Sequence, residues 1–472
     1  MKLRSFAGSP AFWLALQMAA VVIGIHVRGW GTVHEVPDSQ SYVQTGFLAP
    51  ARMLASVRTV GCPLFLRAVA AVSPSLDILP QVHLAFHLLA VVLFCWAMRR
   101  FGASAWQAFA ASTGILWTII NDPLVHDVAS DSLARSLAVV TVALLLAVAA
   151  TPRLWLWIVL TLSLACTYHV RPAYLFLVAL IPCLGPVLRA IHAAWHQQPR
   201  QWKRHTAALL AVAVLPLAAF CLVRLAVVGQ FGLVSSGGWN MAGLSVELLD
   251  RPLIENRVPE DLRPLALEIL EAREQVYRQR GLAPAFRDGR IDLEQLRENH
   301  EVNLCFVALP AVCRRHPEAA DPQGQFACLA VNQDLARLSV SAIGGHKVVY
   351  LRFLVRNYLS GLRDIPATNL ALSFFAAVAI FLYVVRNLVW PGRSRPVPDP
   401  AERSRCYVMQ LMIVLGVLFA AIGLLPVAIV QLPLGRYLIA VALFLPSICV
   451  LWILQELHEI AAELRSTYGG PK

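Results

Sequence analysis

The sequence is poor in charge. Only 14% of its 472 residues are Asp, Glu, Lys or Arg, where soluble domains average roughly 25%. With 58% hydrophobic residues, such a chain cannot cover a globule of its size with polar surface. That excludes an ordinary cytosolic enzyme and a disordered tail protein. Cysteine is also sparse, ten residues in all with no zinc spacing, which excludes a disulfide-built secreted scaffold. Outside one stretch, acids are scarcer still. Residues 229–365 hold 17 of the 28 acids but only 16 of the 40 basic residues. The net charge of +12 comes with no interleaved basic and aromatic stripe, so nucleic acid is not an expected partner. Internal repeats at solenoid periods are lacking, as are the mirrored, interrupted spans of transporters.

What the chain has in quantity is apolar runs. A bilayer core takes about 20 mostly apolar residues per helix. Runs of that kind lie near 11–27, 81–98, 104–121, 132–151, 154–170, 172–190, 206–228, 366–386, 407–431 and 437–455. The expected fold is an all-α polytopic membrane protein with about ten transmembrane helices, bracketed between nine and twelve. Basic residues mark alternate ends of these runs: Lys2 and Arg4, Arg99 and Arg100, Arg153, then Arg189, Arg200, Lys203 and Arg204, and finally Arg386, Arg393, Arg395, Arg403 and Arg405. By the positive-inside rule those ends and both termini are cytoplasmic. The opposite ends, 28–80, 121–131, 169–171, 229–365 and 431–436, then face outward. The first run carries basic residues before it and no clear cleavage site after it, so it reads as a retained anchor.

Three parts are expected: an N-terminal membrane module over 1–228, an outer segment over 229–365 and a C-terminal membrane module over 366–472. The outer segment should be mainly helical, with interfacial amphipathic helices at 262–280 and 326–360. Its Cys305, Cys313 and Cys328 allow one disulfide, with the pairing open. The stretch Pro391–Pro400 is linker-like.

Chemistry concentrates in the outward ends. After the first run comes His34-Glu35-Val36-Pro37-Asp38-Ser39-Gln40-Ser41-Tyr42, then Arg58-Thr59-Val60-Gly61-Cys62-Pro63-Leu64-Phe65. Two roles suit Asp38: a general base for an attacking hydroxyl, or the cap of a helix starting at Ser39. The second outer loop offers Asn121-Asp122-Pro123, His126-Asp127 and Asp131-Ser132. Asp131 opens a helix there, with Arg135 one turn later placed to pair with it. His34, Glu35, His126 and Asp127 lack metal-ligand spacing, so no metal or other cofactor is expected. Tyr168-His169-Val170-Arg171-Pro172 and Gly435-Arg436-Tyr437 set guanidinia at two tight outer turns. Both serve either as snorkelling anchors or as grips for a phosphate. With Arg58, they make a cationic zone facing an acidic one. Cations that hold a phosphate leaving group, beside a carboxylate that takes a hydroxyl proton, are the parts of a transferase.

The order Asp38-Ser39-x-x-Tyr42, Arg58-Thr59-x-Gly61-x-Pro63-Leu64-Phe65, Asp131-Ser132-Leu133, Arg171-Pro172 and Phe231-Gly232-Leu233 with Gly237-Gly238-Trp239-Asn240-Met241 resembles the bacterial GT-C glycosyltransferases. These include the protein O-mannosyltransferases and the aminoarabinose transferase of lipid A. Cys62 stands where that family usually has an aromatic, and Asp131 where it often has Glu. The resemblance implies an inner-membrane enzyme with its active site on the periplasmic side. It would move a sugar, with inversion, from a polyprenyl monophosphate to a protein, lipid A or polysaccharide acceptor. Asp38 is then the base, and Asp131 positions base or acceptor. Arg171, Arg436 and, more weakly, Arg58 bind the donor phosphate, with Glu35, Tyr42, His169 and Tyr437 around the pocket. His346 and Lys347 reach a phosphate or form a solvated helix face. Two other readings stand beside this one: a polymerase or ligase using diphosphate-linked glycans, and a lipid or sugar transporter without chemistry.

Overall fold

A computed structural model describes residues 9–121, 123–197, 202–317, 327–389, 400–430, 432 and 435–468. Most are helical, as lipid-exposed backbone requires. The N-terminal module holds α1 (Pro10–Val27), α2 (Ser39–Gly46), α3 (Pro50–Ala55), α4 (Gly61–Ala70), α5 (Leu79–Phe101), α6 (Ala105–Leu116), α7 (Asp131–Ala150), α8 (Leu154–Val170), α9 (Leu177–Trp195) and α10 (Trp202–Val228). Local signals set the ends. Ser9 accepts from Phe12 N ahead of Pro10, and Ser104 with Gln107 closes a capping box on α6.

Among the described residues, eight helical stretches are long and apolar enough to cross a membrane. The expected span at 104–121 is helical over Ala105–Ile120, and the one at 154–170 has the expected bounds, Leu154–Val170; both are shorter than those eight. A 17-residue helix reaches about 26 Å, less than the roughly 30 Å hydrocarbon core. The last expected span, at 437–455, is divided into α20 (Gly435–Val441) and α21 (Leu445–Tyr468). At the centre of the N-terminal module lies α7, buried along nearly its whole length, whereas α1, α10 and α18 (Leu370–Val389) are mostly unburied. Alanines along α7 let neighbours approach, and Thr141 is hydrogen-bonded to Ser163 (2.8 Å) and Thr167 (3.1 Å) on α8. Gly114 of α6 fits where α21 crosses, since a Cβ there would meet Ser447 N at 2.3 Å.

The outer segment contains α11 (Gly237–Ser245), α12 (Arg251–Arg257), α13 (Arg263–Arg280), a hairpin of β1 (Phe286–Arg287) and β2 (Arg290–Ile291), α14 (Leu293–Val302), a π-helical turn at Asn303–Ala308, α15 (Leu309–Arg315), α16 (Ala327–Gly345) and α17 (Lys347–Thr368). The helix expected over 326–360 is therefore two helices, bent by 99° at His346. The adjacent Gly344 and Gly345 weaken the helix there, and Gly345 sits where a Cβ would strike the Leu253 side chain at 2.4 Å. Cys305 and Cys313 are free thiols rather than a pair, and the side chain of Cys328 lies outside the described residues. So does most of the linker at 391–400.

Glu247, 2% exposed, anchors this segment's core. Its carboxylate accepts from Tyr277 Oη, Asn299 Nδ2 (2.7 Å), Asn303 Nδ2 (3.1 Å) and Ala285 N (3.0 Å). A buried carboxylate is tolerable only with its lone pairs satisfied in this way. Burial, with the Glu247 charge alongside, pushes the Tyr277 phenol well above its usual range. The segment docks on α19 (Pro400–Val430) through α17. Tyr350 donates to Ile429 O (2.9 Å), Asn357 to Ala428 O (3.1 Å) and Tyr358 to Ala421 O (3.1 Å).

Arg224, near the outer end of α10, escapes a motif-based reading. It is 1% exposed and donates to Leu54 O (2.9 Å), Gly232 O (3.2 Å), Gln230 Oε1 (3.5 Å) and Ser235 Oγ. It thus ties α3 and the start of the outer segment to α10. Arg224→Met keeps the bulk and orphans these acceptors. A loss on the order of 3 kcal/mol is expected, read as a lower unfolding midpoint in detergent than for wild type.

Candidate active site

Two outer loops and two membrane-edge turns converge on one hydrogen-bonded constellation. It begins at the start of α2. Asp38 occupies the capping position expected of it, but its carboxylate makes no cap hydrogen bond. Instead Asp38 Oδ1 accepts from an Arg58 guanidinium nitrogen at 2.6 Å. Arg58 also donates through Nε to Ser41 Oγ (2.8 Å), and lies 4.4 Å from the Tyr42 ring centre. Residues 38, 41 and 42 share one face of α2, so a single guanidinium can reach all three.

From Tyr42 the network continues inward. Its hydroxyl meets Ser130 Oγ at 3.0 Å, and Ser130 Oγ accepts from Arg171 at 3.0 Å. The same Arg171 nitrogen donates to Asp131 Oδ2 at 2.6 Å. Asp131 lies in the first turn of α7, yet it makes its ion pair with Arg171 across the module. Arg135, expected beside it, donates to Thr118 O (3.3 Å). On the far side Arg171 stacks on Tyr437, 5.5 Å from its ring centre, and Arg436 lies 5.0 Å from the same ring while donating to its hydroxyl at 3.2 Å.

Burial separates the roles. The Asp131 side chain is 8% exposed and its Arg171 partner 11%, whereas Asp38 is 46% exposed. Asp38 is the carboxylate open to solvent. The Asp131–Arg171 pair is neutral as a unit, and Asp38 offsets Arg58. Arg436, exposed at the start of α20, has no acidic partner among the described residues and carries the charge left over. Burial raises the Tyr42 phenol above its usual range, against the lowering pull of Arg58 and Arg171. It also pushes the Cys62 thiol up to about 12, with help from Asp131. Both groups therefore stay protonated at neutral pH. Cys62 is wholly buried under the site and offers no surface to a ligand.

Seven of the residues singled out in the sequence thus share one network: Asp38, Tyr42, Arg58, Asp131, Arg171, Arg436 and Tyr437. Two do not. Glu35 is exposed and accepts from Gln40 at 3.2 Å, and His169 packs between the rings of Tyr168 and Phe220. His346 and Lys347 belong to the outer-segment bend, where His346 packs edge-on to Phe286. Ser130, the link between the Tyr42 and Arg171 halves, was missed. Its only signal was its place before Asp131. Asn121 was noted but given no role. It donates to Asn369 Oδ1 (2.9 Å) and accepts from Ala371 N (3.0 Å), tying the second outer loop to α18. Asp122 lies outside the described residues.

Gly61 explains how Arg58 and Arg171 come so close. A Cβ at Gly61 would lie 2.5 Å from the backbone carbon of His169 and 2.6 Å from Val170 N. Backbone therefore packs on backbone, and Thr59 Oγ1 reaches Val170 O at 3.5 Å. Gly61→Ala must push the two segments apart, at a cost of about 2 kcal/mol or more. Gly24→Ala, where nothing lies within 4 Å, should instead be neutral or stabilising by up to about 1 kcal/mol. Parallel unfolding midpoints of both variants check this. No protein-family model matches the chain, and no curated protein or solved structure matches it either, so its functional reading rests on sequence and geometry.

Proposed function

We propose that this membrane protein is an inverting glycosyltransferase that takes a sugar from a polyprenyl monophosphate and delivers it to an acceptor hydroxyl on the outer face of a bacterial inner membrane. The observation that carries the reading is the pairing, within one network, of an accessible carboxylate at Asp38 with an uncompensated guanidinium at Arg436. In the step itself the acceptor oxygen attacks the anomeric carbon. Asp38 takes the hydroxyl proton, the bond from that carbon to the phosphate oxygen breaks, and polyprenyl phosphate leaves. Charge grows on the phosphate as the bond breaks, so Arg436 stabilises the transition state more than the ground state. Arg58 holds the Asp38 carboxylate in one orientation. The Asp131–Arg171 pair, with Ser130 and Tyr437, fixes the distance between base and cation. No part of this scheme calls for a cofactor. The acceptor belongs to the class of protein, lipid A or polysaccharide hydroxyls, and the resemblance to GT-C enzymes supports the donor class.

Asp38→Asn should lower transfer by at least about a hundredfold, within the usual range for a positioned base, with membrane insertion unchanged. Arg436→Gln should weaken donor use while leaving acceptor dependence largely intact. Purified protein in nanodiscs, given radiolabelled monophosphate- and diphosphate-linked sugars, supplies the assay. Near-normal turnover of the Asp38→Asn variant, or a preference for the diphosphate donor, overturns the proposal.

A further inference from the structure

The two outer loops that supply Asp38 and Asp131 also meet at a second point, one the proposed transfer does not use. His34 N donates to His126 O (2.9 Å) and Val128 N to His34 O (3.0 Å), a short parallel bridge between the loops. Around it stand two imidazoles and a carboxylate. His34 Nδ1 lies 2.8 Å from Asp127 Oδ1, and His126 Nε2 lies 3.5 Å from the same oxygen. One ligand atom from each of the three residues falls within 4.8 Å of the others. The two imidazole rings are stacked, 5.0 Å between centres.

Ligand atoms on a tetrahedral zinc ion, each about 2.0–2.1 Å from the metal, sit roughly 3.3 Å apart. The three donors here bracket that spacing. Asp127 and His126 are largely buried, at 9% and 15%, and backbone hydrogen bonds hold their segment. His34 is 57% exposed, with its Nδ1 already turned to the shared Asp127 oxygen. Two imidazole nitrogens and one carboxylate oxygen form a donor set for a borderline divalent metal rather than for Mg²⁺ or Ca²⁺.

The geometry points to a Zn²⁺-class metal site formed by His34, His126 and Asp127, which pins the first outer loop to the second. The ion takes the place of the proton that joins His34 Nδ1 to Asp127, and its remaining coordination position faces solvent on the His34 side. The site lies four residues before each candidate acid, Asp38 and Asp131. Val128 O, next to the ligand Asp127, accepts from Ser39 Oγ at 3.0 Å, so the metal also fixes the start of α2. Its role is to hold the loops. It touches none of the reacting atoms of the proposed transfer, and it stands whether or not that reaction is the right one.

The test uses the full-length protein in detergent, stripped with a chelator and then loaded separately with Zn²⁺, Mn²⁺ or Mg²⁺. Expected is close to one Zn²⁺ retained per chain, no retained Mg²⁺, and an unfolding midpoint raised by Zn²⁺. His34→Ala and His126→Ala should each weaken Zn²⁺ retention at least tenfold and abolish that rise. X-ray absorption on the wild-type protein gives an answer that no variant's folding can obscure. It should show only nitrogen and oxygen neighbours, with the outer scattering of two imidazoles. Sulfur scattering near about 2.3 Å, no retained zinc, or unchanged retention in both variants overturns the proposal.

Discussion

The ion pair between Asp131 and Arg171 is the contact on which the candidate site is built. It joins the first turn of the most deeply buried helix to the junction between α8 and α9, in a place where either charge alone is unfavourable. Removing one member of such a pair costs about 3–5 kcal/mol, because the other is left buried without a partner. Ser130 extends the pair to Tyr42 and so to Arg58 and Asp38, while the Tyr437 ring extends it to Arg436. Remove this centre, and the accessible carboxylate and the exposed guanidinium lose their common reference.

The constellation also divides labour by exposure. Two of its three arginines are matched by carboxylates, and the one left over lies at a tight turn near the membrane edge. A site of this kind attracts an anion without holding it in a deep electrostatic trap. The buried pair supplies rigidity, the exposed groups are open to solvent, and neither set serves both purposes.

Much of this was legible beforehand. The helical, membrane-embedded character follows from apolar runs of sufficient length, and the candidate residues follow from charge found where span ends should be neutral. Residues 38, 42, 58, 131, 171, 436 and 437 were each visible as exceptions to their surroundings. Their partners were not. Asp38 reads equally well as a helix cap until Arg58 is seen to hold it, and Asp131 reads as a partner for Arg135 until the fold brings in Arg171 from forty residues on. His34 and the pair His126-Asp127 show no ligand spacing because they lie on separate loops. The break at His346 was hidden because the apolar pattern runs through Gly344 and Gly345 with little change.

Composition and periodicity thus determined the apolar solvent and the helices. These depend on properties summed over each segment, and a sum survives uncertainty about any one neighbour. Which acid meets which base, which guanidinium keeps an unmatched charge and which histidines share a carboxylate were decided only by tertiary structure. Those facts depend on distances of a few ångströms between residues as far apart in sequence as Arg171 and Tyr437. Close backbone packing, such as Gly61 against His169, sets those distances.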